Sequence, residues 1–383
     1  MNVHLLNSRI ILIAFLLYLL QPVLQMKGLI GPVLLIVIFA LSFYYAVKLL
    51  TCSLARSPIV ICWTLFLALY ILNFIISGKV HQYDDMRNIL LNLIPFYPFY
   101  FFTLNKFVRE IDIKFFFFGL VVLFILNFYV ADISLSKQLD EEEFANNTSY
   151  QLMGLLPFVF IFKKNLTRFV LLSVLAFFAL ESMKRSVLIV SVLSFFLISY
   201  NYYISHQRTS PLKATLYSFM ILIVFCVFAV VYYVYWGIGE RFEQRLLLMI
   251  LEGHTSGRDE IASLMINSWL DSNNAIDYIL GFGYMSWTEI SFNSSHNDII
   301  KVLTETGLVG LISFLSLLSA IINRSRKKFW FSDDHRTAFI MFILVMLVSA
   351  ITSRWFGSSF FFMNCVLLPF LLAYNSRSRR FNN

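Results

Sequence analysis

Nearly the whole chain consists of apolar runs long enough to cross a membrane, separated by short polar segments. A helix needs about 20 apolar residues to cross roughly 30 Å of hydrocarbon, and it satisfies its own backbone hydrogen bonds there. A transmembrane β-barrel would instead alternate apolar and polar residues along each strand. With 59% hydrophobic and only 14% charged residues, the composition is not that of a soluble protein. The sequence therefore predicts an all-α, polytopic integral membrane protein.

Twelve apolar segments are candidates for transmembrane helices. Their approximate spans are 10–25, 29–48, 58–77, 89–104, 114–131, 151–162, 167–181, 187–204, 214–236, 298–322, 338–353 and 357–373. The first resembles a signal peptide, but no small-residue cleavage site follows it, so we interpret it as an uncleaved helix. The pattern divides the chain into predicted helices at 1–236, a large loop at 237–297, and further helices with a cytoplasmic tail at 298–383.

Lysine and arginine are distributed unevenly between alternate loops. Cytoplasmic loops have an excess of both, and the larger share of the 30 Lys and Arg falls on the side of the two termini. We therefore expect cytoplasmic termini and an outer face that bears loop 237–297. This topology also explains the net charge of +8, so no nucleic-acid partner is expected. Loops beyond about 12–15 residues are usually functional or disordered, and the glycines and apolar stretches of this one predict a folded segment with short helices.

Some basic residues on the predicted outer face oppose this charge bias. Lys184 and Arg185 lie in the short connection ESMKRS, Arg354 lies in TSRWFG, and Arg258 lies in the large loop. An arginine at membrane depth is costly unless it faces a cavity or an anion, and a guanidinium group suits phosphate. Binding of ordinary lipid phosphates is the alternative for each arginine alone. Arg185, Arg258 and Arg354 together predict a pocket for an anionic ligand.

A long polar loop ends and an apolar helix begins at SSHNDIIKVLTETGLVG, residues 294–310. His296 lies at this junction beside Asn297, and its near-neutral pKa would allow it to accept a proton. A lone histidine is more often structural, but this one precedes charged residues spaced to lie together on one helix. Gly307 and Gly310 could simply permit close helix packing. None of the six His has a metal-ligand spacing and the four Cys are well separated, so no metal site is expected.

These residues resemble the O-antigen polymerase and O-antigen ligase family of bacterial inner-membrane glycosyltransferases. In that family about twelve helices are accompanied by one large periplasmic loop that ends in H-N-x9-G-x-x-G. His296, Asn297, Gly307 and Gly310 fill that pattern, with Glu305 in the usual E-x-G context.

Two stretches upstream extend the resemblance over residues 146–310. SGRDEIASLMINSWLDSNNAIDYILGFGYMS resembles the family's stretch from a loop arginine to G-x-G, which gives Arg258, Gly281 and Gly283. NNTSYQLMGLLPFVFIFKK followed by SMKRSVLIV resembles a pair of helices found in the polymerases. The remainder of the chain resembles the family only in hydropathy.

The resemblance implies a periplasmic glycosyltransferase of lipopolysaccharide biosynthesis that needs no cofactor, nucleotide sugar or metal. A growing glycan would pass from undecaprenyl diphosphate to the non-reducing end of another lipid-linked repeat unit. His296 would be the base, and Arg185, Arg258, Arg354 and Lys184 would bind the diphosphate. Tyr284, Trp287 and Trp236 are candidates to stack on sugar rings, although an interfacial position explains Trp236 better. The partners would be lipid-linked oligosaccharide, inner-membrane lipid and a separate chain-length regulator.

Other functions stay open at this point. An O-antigen ligase, which transfers finished polymer to lipid A-core, shares the histidine motif. A transporter or flippase of lipid-linked glycans could also use twelve helices, although such proteins usually contain internal repeats that this chain lacks. A membrane sensor or scaffold would need a signalling domain or an interaction tail, and neither is recognisable. The polymerase is favoured because the two helical stretches resemble polymerases.

Overall fold

Every regular element in the described part of the chain is a helix. The computed structural model describes residues 2–24, 28–51, 57–79, 83–135, 148–182, 184–206, 258–291, 296–326, 332–356 and 360–382, with a few isolated positions between them. Seven helices in these ranges are long and apolar enough to cross a membrane. The chain is therefore an all-α polytopic membrane protein, as its sequence predicts.

The helices are numbered in chain order. They are α1 Val3–Val23, α2 Ile30–Leu50, α3 Pro58–Ser77, α4 Tyr83–Leu93, α5 Phe96–Leu104, α6 Glu110–Leu135, α7 Ser149–Met153, α8 Leu156–Val159, α9 Asn165–Glu181, α10 Arg185–His206, α11 Arg258–Leu270, α12 Ala275–Leu280, α13 Trp287–Ile290, α14 Asp298–Arg324, α15 Asp333–Thr352 and α16 Leu368–Asn382, with a π-helical turn at Met363–Leu367 directly before α16. The seven that could span a membrane are α1, α2, α3, α6, α10, α14 and α15.

Local sequence signals set the ends of several helices. Pro58 occupies the first turn of α3, where its missing N–H has no helical partner to lose. Gly78 ends the same helix with φ 65°, in the left-handed region that suits glycine. Asn297 and Ser332 begin α14 and α15, because their side-chain oxygens accept hydrogen bonds from the first helical turn.

Helices α14 and α15 form the interior of the bundle. Half of the apolar window of α14 and 61% of that of α15 is buried inside the protein, against 28% for α2. α14 packs mainly against α3 and the short α12, while α15 packs against α8 and α10. Aromatic rings from α3, α14 and the turn after α15 pack against one another in the core, including Trp63, Phe314 and Trp355. The site described below is built on α14.

The fourth predicted helix, 89–104, is wrong as a continuous span. α4 ends at Leu93 and α5 begins at Phe96. Pro95 lies between them, and proline removes a helical N–H while its ring collides with the preceding turn. Pro95 is therefore a local sequence signal for this break.

The break at Pro95 exposes backbone carbonyl groups that lipid could not bind. Buried side chains bind them instead. The indole Nε1 of Trp63 donates to the Leu93 carbonyl at 3.0 Å, and the Cys365 thiol donates to the Asn92 carbonyl at 2.8 Å. Side chains from α3 and the π-helical turn therefore supply hydrogen bonds to the carbonyl groups at this break.

Two other predicted spans have different outcomes. The sixth, 151–162, is wrong as a single helix, because the structure has the short helices α7 and α8 there, with Gly154 between them. The ninth, 214–236, lies almost entirely outside the described residues. The number of membrane crossings therefore stays a prediction. In the large loop 237–297, the described residues from 258 onward form α11, α12 and α13, which confirms short helices in this segment.

We expect Trp63→Phe to lower the thermal stability of the purified protein. Phenylalanine keeps the stacking on Phe96, whose ring centroid lies 4.6 Å away, but it removes the donor to the Leu93 carbonyl. A buried polar group left without a partner costs about 1–3 kcal/mol. The unfolding midpoint in detergent, followed by size-exclusion chromatography after heating, measures the loss.

Trp330→Phe is the matched control for this prediction. The Trp330 indole also donates to a carbonyl, that of Arg324 at 2.7 Å, but Trp330 is only half-buried, so water can replace the lost donor. An unchanged midpoint for Trp63→Phe, or an equal drop for both variants, would contradict the role given to the Trp63 indole.

Candidate functional site

His296 lies directly before the first turn of α14, in an unusual backbone conformation. Its φ is 48°, in the left-handed region, which costs a residue with a Cβ about 1–3 kcal/mol. Asn297 follows as the helix cap, and its Oδ1 accepts from the N–H groups of Ile299 at 2.9 Å and Ile300 at 3.2 Å. The His-Asn pair therefore has two tasks, since Asn297 begins the helix and His296 turns the chain into it.

Burial and neighbouring cations lower the pKa of His296 from its ordinary 6.5 to about 4. The largest cause is burial, which disfavours the charged imidazolium. The positive charges of Arg258, Arg354 and Lys184 add to it, in that order. His296 is therefore neutral near pH 7 and has a ring nitrogen able to accept a proton. We call Lys184, Arg258 and Arg354 the cationic cluster.

Three separate parts of the chain contribute to the cationic cluster. Arg258 begins α11, and its Nη1 donates to the Thr352 carbonyl at the end of α15 at 3.0 Å. Arg354 lies two residues beyond that helix, with its Cζ 5.6 Å from the Trp287 ring centroid. Lys184 directly precedes α10. The structure thus brings together three of the predicted cations and the predicted base.

Other predicted residues have different placements. Arg185 begins α10 next to Lys184, but its side chain lies outside the described part of the structure. Arg354 has an acidic neighbour that the sequence did not single out, since Asp85 Oδ2 lies 4.0 Å from its Nη1. Trp236 lies outside the described residues.

The expectation that Tyr284 stacks on a sugar ring is wrong. Its side chain is fully buried and packs edge-on against Tyr70 and Phe74, with centroids 6.3 and 5.1 Å away. Burial and the negative charges of Glu305 and Asp85 raise the pKa of its hydroxyl. Trp287, which lies against Arg354 and is half-buried, stays a candidate for stacking.

Glu305 joins three elements through a fully buried carboxylate. Its Oε2 accepts from the Tyr70 hydroxyl of α3 at 2.7 Å, and its Oε1 accepts from the Met285 N–H of the large loop at 3.2 Å. Lys301, one turn earlier on α14, places its Nζ 3.9 Å from Oε1. Lys301 and Glu305 are thus neighbours on α14, as their spacing predicts. Glu305 has a structural role, because its carboxylate connects α3, α14 and the large loop.

Gly307 interrupts α14 and lets the large loop bind to it. Its φ of 61° and ψ of −160° are not helical. The carbonyls of Thr304 and Glu305 are thereby released from the helical pattern and accept from the N–H groups of Phe282 at 2.8 Å and Gly283 at 3.1 Å. Asn73 of α3 also donates to the Glu305 carbonyl, at 2.8 Å.

The two glycine motifs meet at this break. A Cβ on Gly281 would lie 2.6 Å from the Gly307 nitrogen, and a Cβ on Gly307 would lie 2.6 Å from the Gly281 nitrogen. Both contacts are with backbone, which cannot move aside. Gly281 and Gly283 also have positive φ angles of 77° and 96°. Gly307 therefore does more than permit helix packing. Only glycine leaves enough space for the loop backbone to lie this close to α14.

An apolar cleft of about 290 Å³ lies beside the break. Aliphatic side chains of α3, α12 and α14 line most of it, and Gly281, Gly283 and Gly310 form part of its wall. Many of the aliphatic residues are exposed on the outer surface of the bundle, including Leu72, Ile76, Leu280 and Val309. The cleft has the chemistry of a site for a hydrocarbon chain.

Among the described residues, no group of three or more His, Cys, Asp or Glu side chains is arranged to hold a metal ion. No protein-family model matches the chain, and no curated protein matches it.

Gly307→Ala should separate the large loop from α14, whereas Gly78→Ala should not. Gly78 lies in the left-handed helical region at φ 65° and ψ 7°, which alanine can adopt at a modest cost, whereas Gly307 at φ 61° and ψ −160° lies in a region open essentially only to glycine. A Cβ meets nothing within 4 Å at Gly78 but collides with the Ile279 backbone at Gly307. Hydrogen exchange of the Phe282 and Gly283 amides should therefore become faster only in Gly307→Ala. Equal protection in the two variants would contradict the proposed docking.

Arg258→Gln should raise the pKa of His296 towards 6.5, because it removes the strongest of the neighbouring positive charges. The titration is measured from the histidine resonances of isotopically labelled protein, and the His296 resonance is assigned as the one that is missing in His296→Gln.

In the wild-type protein the unfolded chain binds this proton near pH 6.5 and the folded chain only near pH 4. Folding stability is therefore lost as the pH falls between these values. A midpoint near 6.5 in the wild-type protein would exclude the buried cationic environment.

Proposed function

We propose that this chain is an O-antigen polymerase of the bacterial inner membrane. It would transfer a growing glycan from undecaprenyl diphosphate to a hydroxyl group at the non-reducing end of another lipid-linked repeat. The observation that supports this most directly is the neutral, partly buried His296 beside Lys184, Arg258 and Arg354 at one end of a membrane bundle. A base next to several cations suits a reaction that deprotonates a hydroxyl while a diphosphate departs.

The chemistry divides between the base and the cations. The anomeric C–O bond to the diphosphate breaks, and its electron pair leaves on the diphosphate oxygen. A new C–O bond forms to the acceptor hydroxyl, whose proton passes to His296. Arg258, Arg354 and Lys184 stabilise the negative charge that develops on the leaving diphosphate. No other reactant is needed to balance the step.

Donor binding would also strengthen the base. In the unliganded protein the cationic cluster contributes to the low pKa of His296. A bound diphosphate brings compensating negative charge, which stabilises the imidazolium form and raises that pKa. His296 would thus become a better proton acceptor when the donor is in place.

The rest of the site fits a lipid-linked donor. The aliphatic cleft along α3, α12 and α14 would accept part of the isoprenoid chain. We place the cationic cluster at the periplasmic face because the lysine and arginine bias favours cytoplasmic termini. Trp287, beside Arg354, would contact a sugar ring of the substrate.

Complementation distinguishes the polymerase from the ligase. In a strain that lacks its polymerase, this chain should restore a ladder of glycan lengths. His296→Ala and Arg258→Ala should abolish the ladder, and Arg258→Lys should weaken it, because lysine cannot form the bidentate contact of a guanidinium group. Gel analysis of lipopolysaccharide measures chain extension, and membrane fractionation measures insertion of each variant.

Arg87→Ala is the control for general loss of positive charge. Arg87 falls between the third and fourth predicted spans, and therefore on the predicted outer face, but it pairs with Asp84 on its own helix at 2.8 Å, so we expect a normal ladder. Rescue of a ligase-deficient strain alone would identify the ligase instead. Normal ladders from correctly inserted His296→Ala protein would exclude His296 as the base.

A further inference from the structure

We infer that Asp298 is a positioning residue, whose carboxyl group holds the turn that bears Arg354 in place beside His296. This inference rests on the proposed function, because Arg354 is one of the cations assigned to the diphosphate. It adds a residue that does not itself touch the substrate. The motif H-N-D at residues 296–298 would then contain a base, a helix cap and a support for the cationic cluster.

The contact between Asp298 and the Arg354 turn is short and fully buried. Asp298 Oδ2 accepts from the backbone N–H of Trp355 at 2.6 Å, and both side chains are 0% exposed. A buried backbone N–H that loses its acceptor has no water to replace it, so this hydrogen bond is costly to break. The peptide bond between Arg354 and Trp355 is therefore fixed at its nitrogen by the first residue of α14.

Two buried asparagines hold the other side of Trp355. Its indole Nε1 donates to Asn364 Oδ1 at 2.7 Å, and its carbonyl accepts from Asn92 and from Asn364, each at 3.2 Å. Asn364 also donates to Asn92 Oδ1 at 2.7 Å. Trp355 is thus hydrogen-bonded at its N–H, its carbonyl and its side chain. Only the first of these bonds connects it to the helix that follows His296.

A second cation meets the same turn. Arg258 donates to the Thr352 carbonyl at 3.0 Å, two residues before Arg354. The turn therefore receives one bond from a member of the cationic cluster and one from Asp298, which is two residues beyond the base. Loss of the Asp298 bond would leave Trp355 held by the two asparagines but would remove the direct hydrogen bond between the Arg354 turn and the start of α14. The distance between base and cation would then vary, and ordered cations bind a diphosphate better than mobile ones.

The experiment is a double-mutant cycle on binding of a polyprenyl diphosphate. Purified full-length protein is titrated with geranylgeranyl diphosphate and, in parallel, with geranylgeraniol. Asp298→Ala and Arg354→Ala should each weaken diphosphate binding about tenfold, and the double variant should be no weaker than Arg354→Ala. Each tenfold step corresponds to about 1.4 kcal/mol. Asp298→Asn keeps an oxygen that can accept from Trp355 N–H and should recover most of the affinity.

A control and an independent measurement accompany the cycle. Ser313→Ala removes another buried polar group from α14, away from the Arg354 turn, and should bind normally. Hydrogen exchange of peptides that contain Trp355 should be faster in Asp298→Ala but not in Asp298→Asn. This exchange needs no substrate, and faster exchange confined to the peptides that contain Trp355 distinguishes a released turn from partial unfolding of the variant.

Three results would overturn the inference. They are native affinity in Asp298→Ala, a double variant about tenfold weaker than Arg354→Ala, or equal loss in Asp298→Ala and Asp298→Asn. If the wild-type protein binds the alcohol and the diphosphate equally, the proposed function fails instead. The exchange of Trp355 then still shows whether Asp298 holds the turn.

Discussion

Every backbone polar group inside the membrane needs a hydrogen-bond partner, and this requirement governs the structure. Unbroken helices satisfy it internally, whereas each break releases carbonyl groups that lipid cannot bind. At Pro95 the donors are buried side chains of neighbouring elements, including the Trp63 indole. At Gly307 the donors are backbone N–H groups of the large loop. The second break therefore joins the loop to the membrane helices largely through main-chain contacts, which depend on two glycines rather than on side-chain chemistry.

This joint explains why the candidate site can lie at the end of a bundle and still be well defined. α14 begins beside His296 and is interrupted at Gly307, where the loop binds. Between these points Glu305 connects α3, α14 and the loop through a carboxylate that is fully buried. α11 and α13, at either side of the docked segment, contribute Arg258 and Trp287. Residues far apart along the chain are thereby placed next to Arg354.

The sequence predicted the helical membrane class and the individual cations, because hydropathy, helix caps and charge bias are local properties. It did not predict the break at Gly307, because a glycine that interrupts a helix and a glycine that allows close packing have the same local pattern. The sequence also does not predict the hydrogen bond from the Trp355 N–H to Asp298, because this bond joins buried residues on different elements. The break at Pro95 is different, because the effect of proline on a helix is local and can be read from the sequence.

The distribution of the site along the chain has a consequence for biosynthesis. A polypeptide emerges from the ribosome with its N-terminal part first, so Lys184 and Arg258 enter the membrane before His296. Arg354 follows only after α14 and α15. Until that last turn arrives, the helix start at Asp298 lacks the N–H of Trp355, and His296 lacks one member of the cationic cluster. An incompletely inserted chain would therefore lack the complete cationic cluster, so the candidate site forms only after the last of its elements has been inserted.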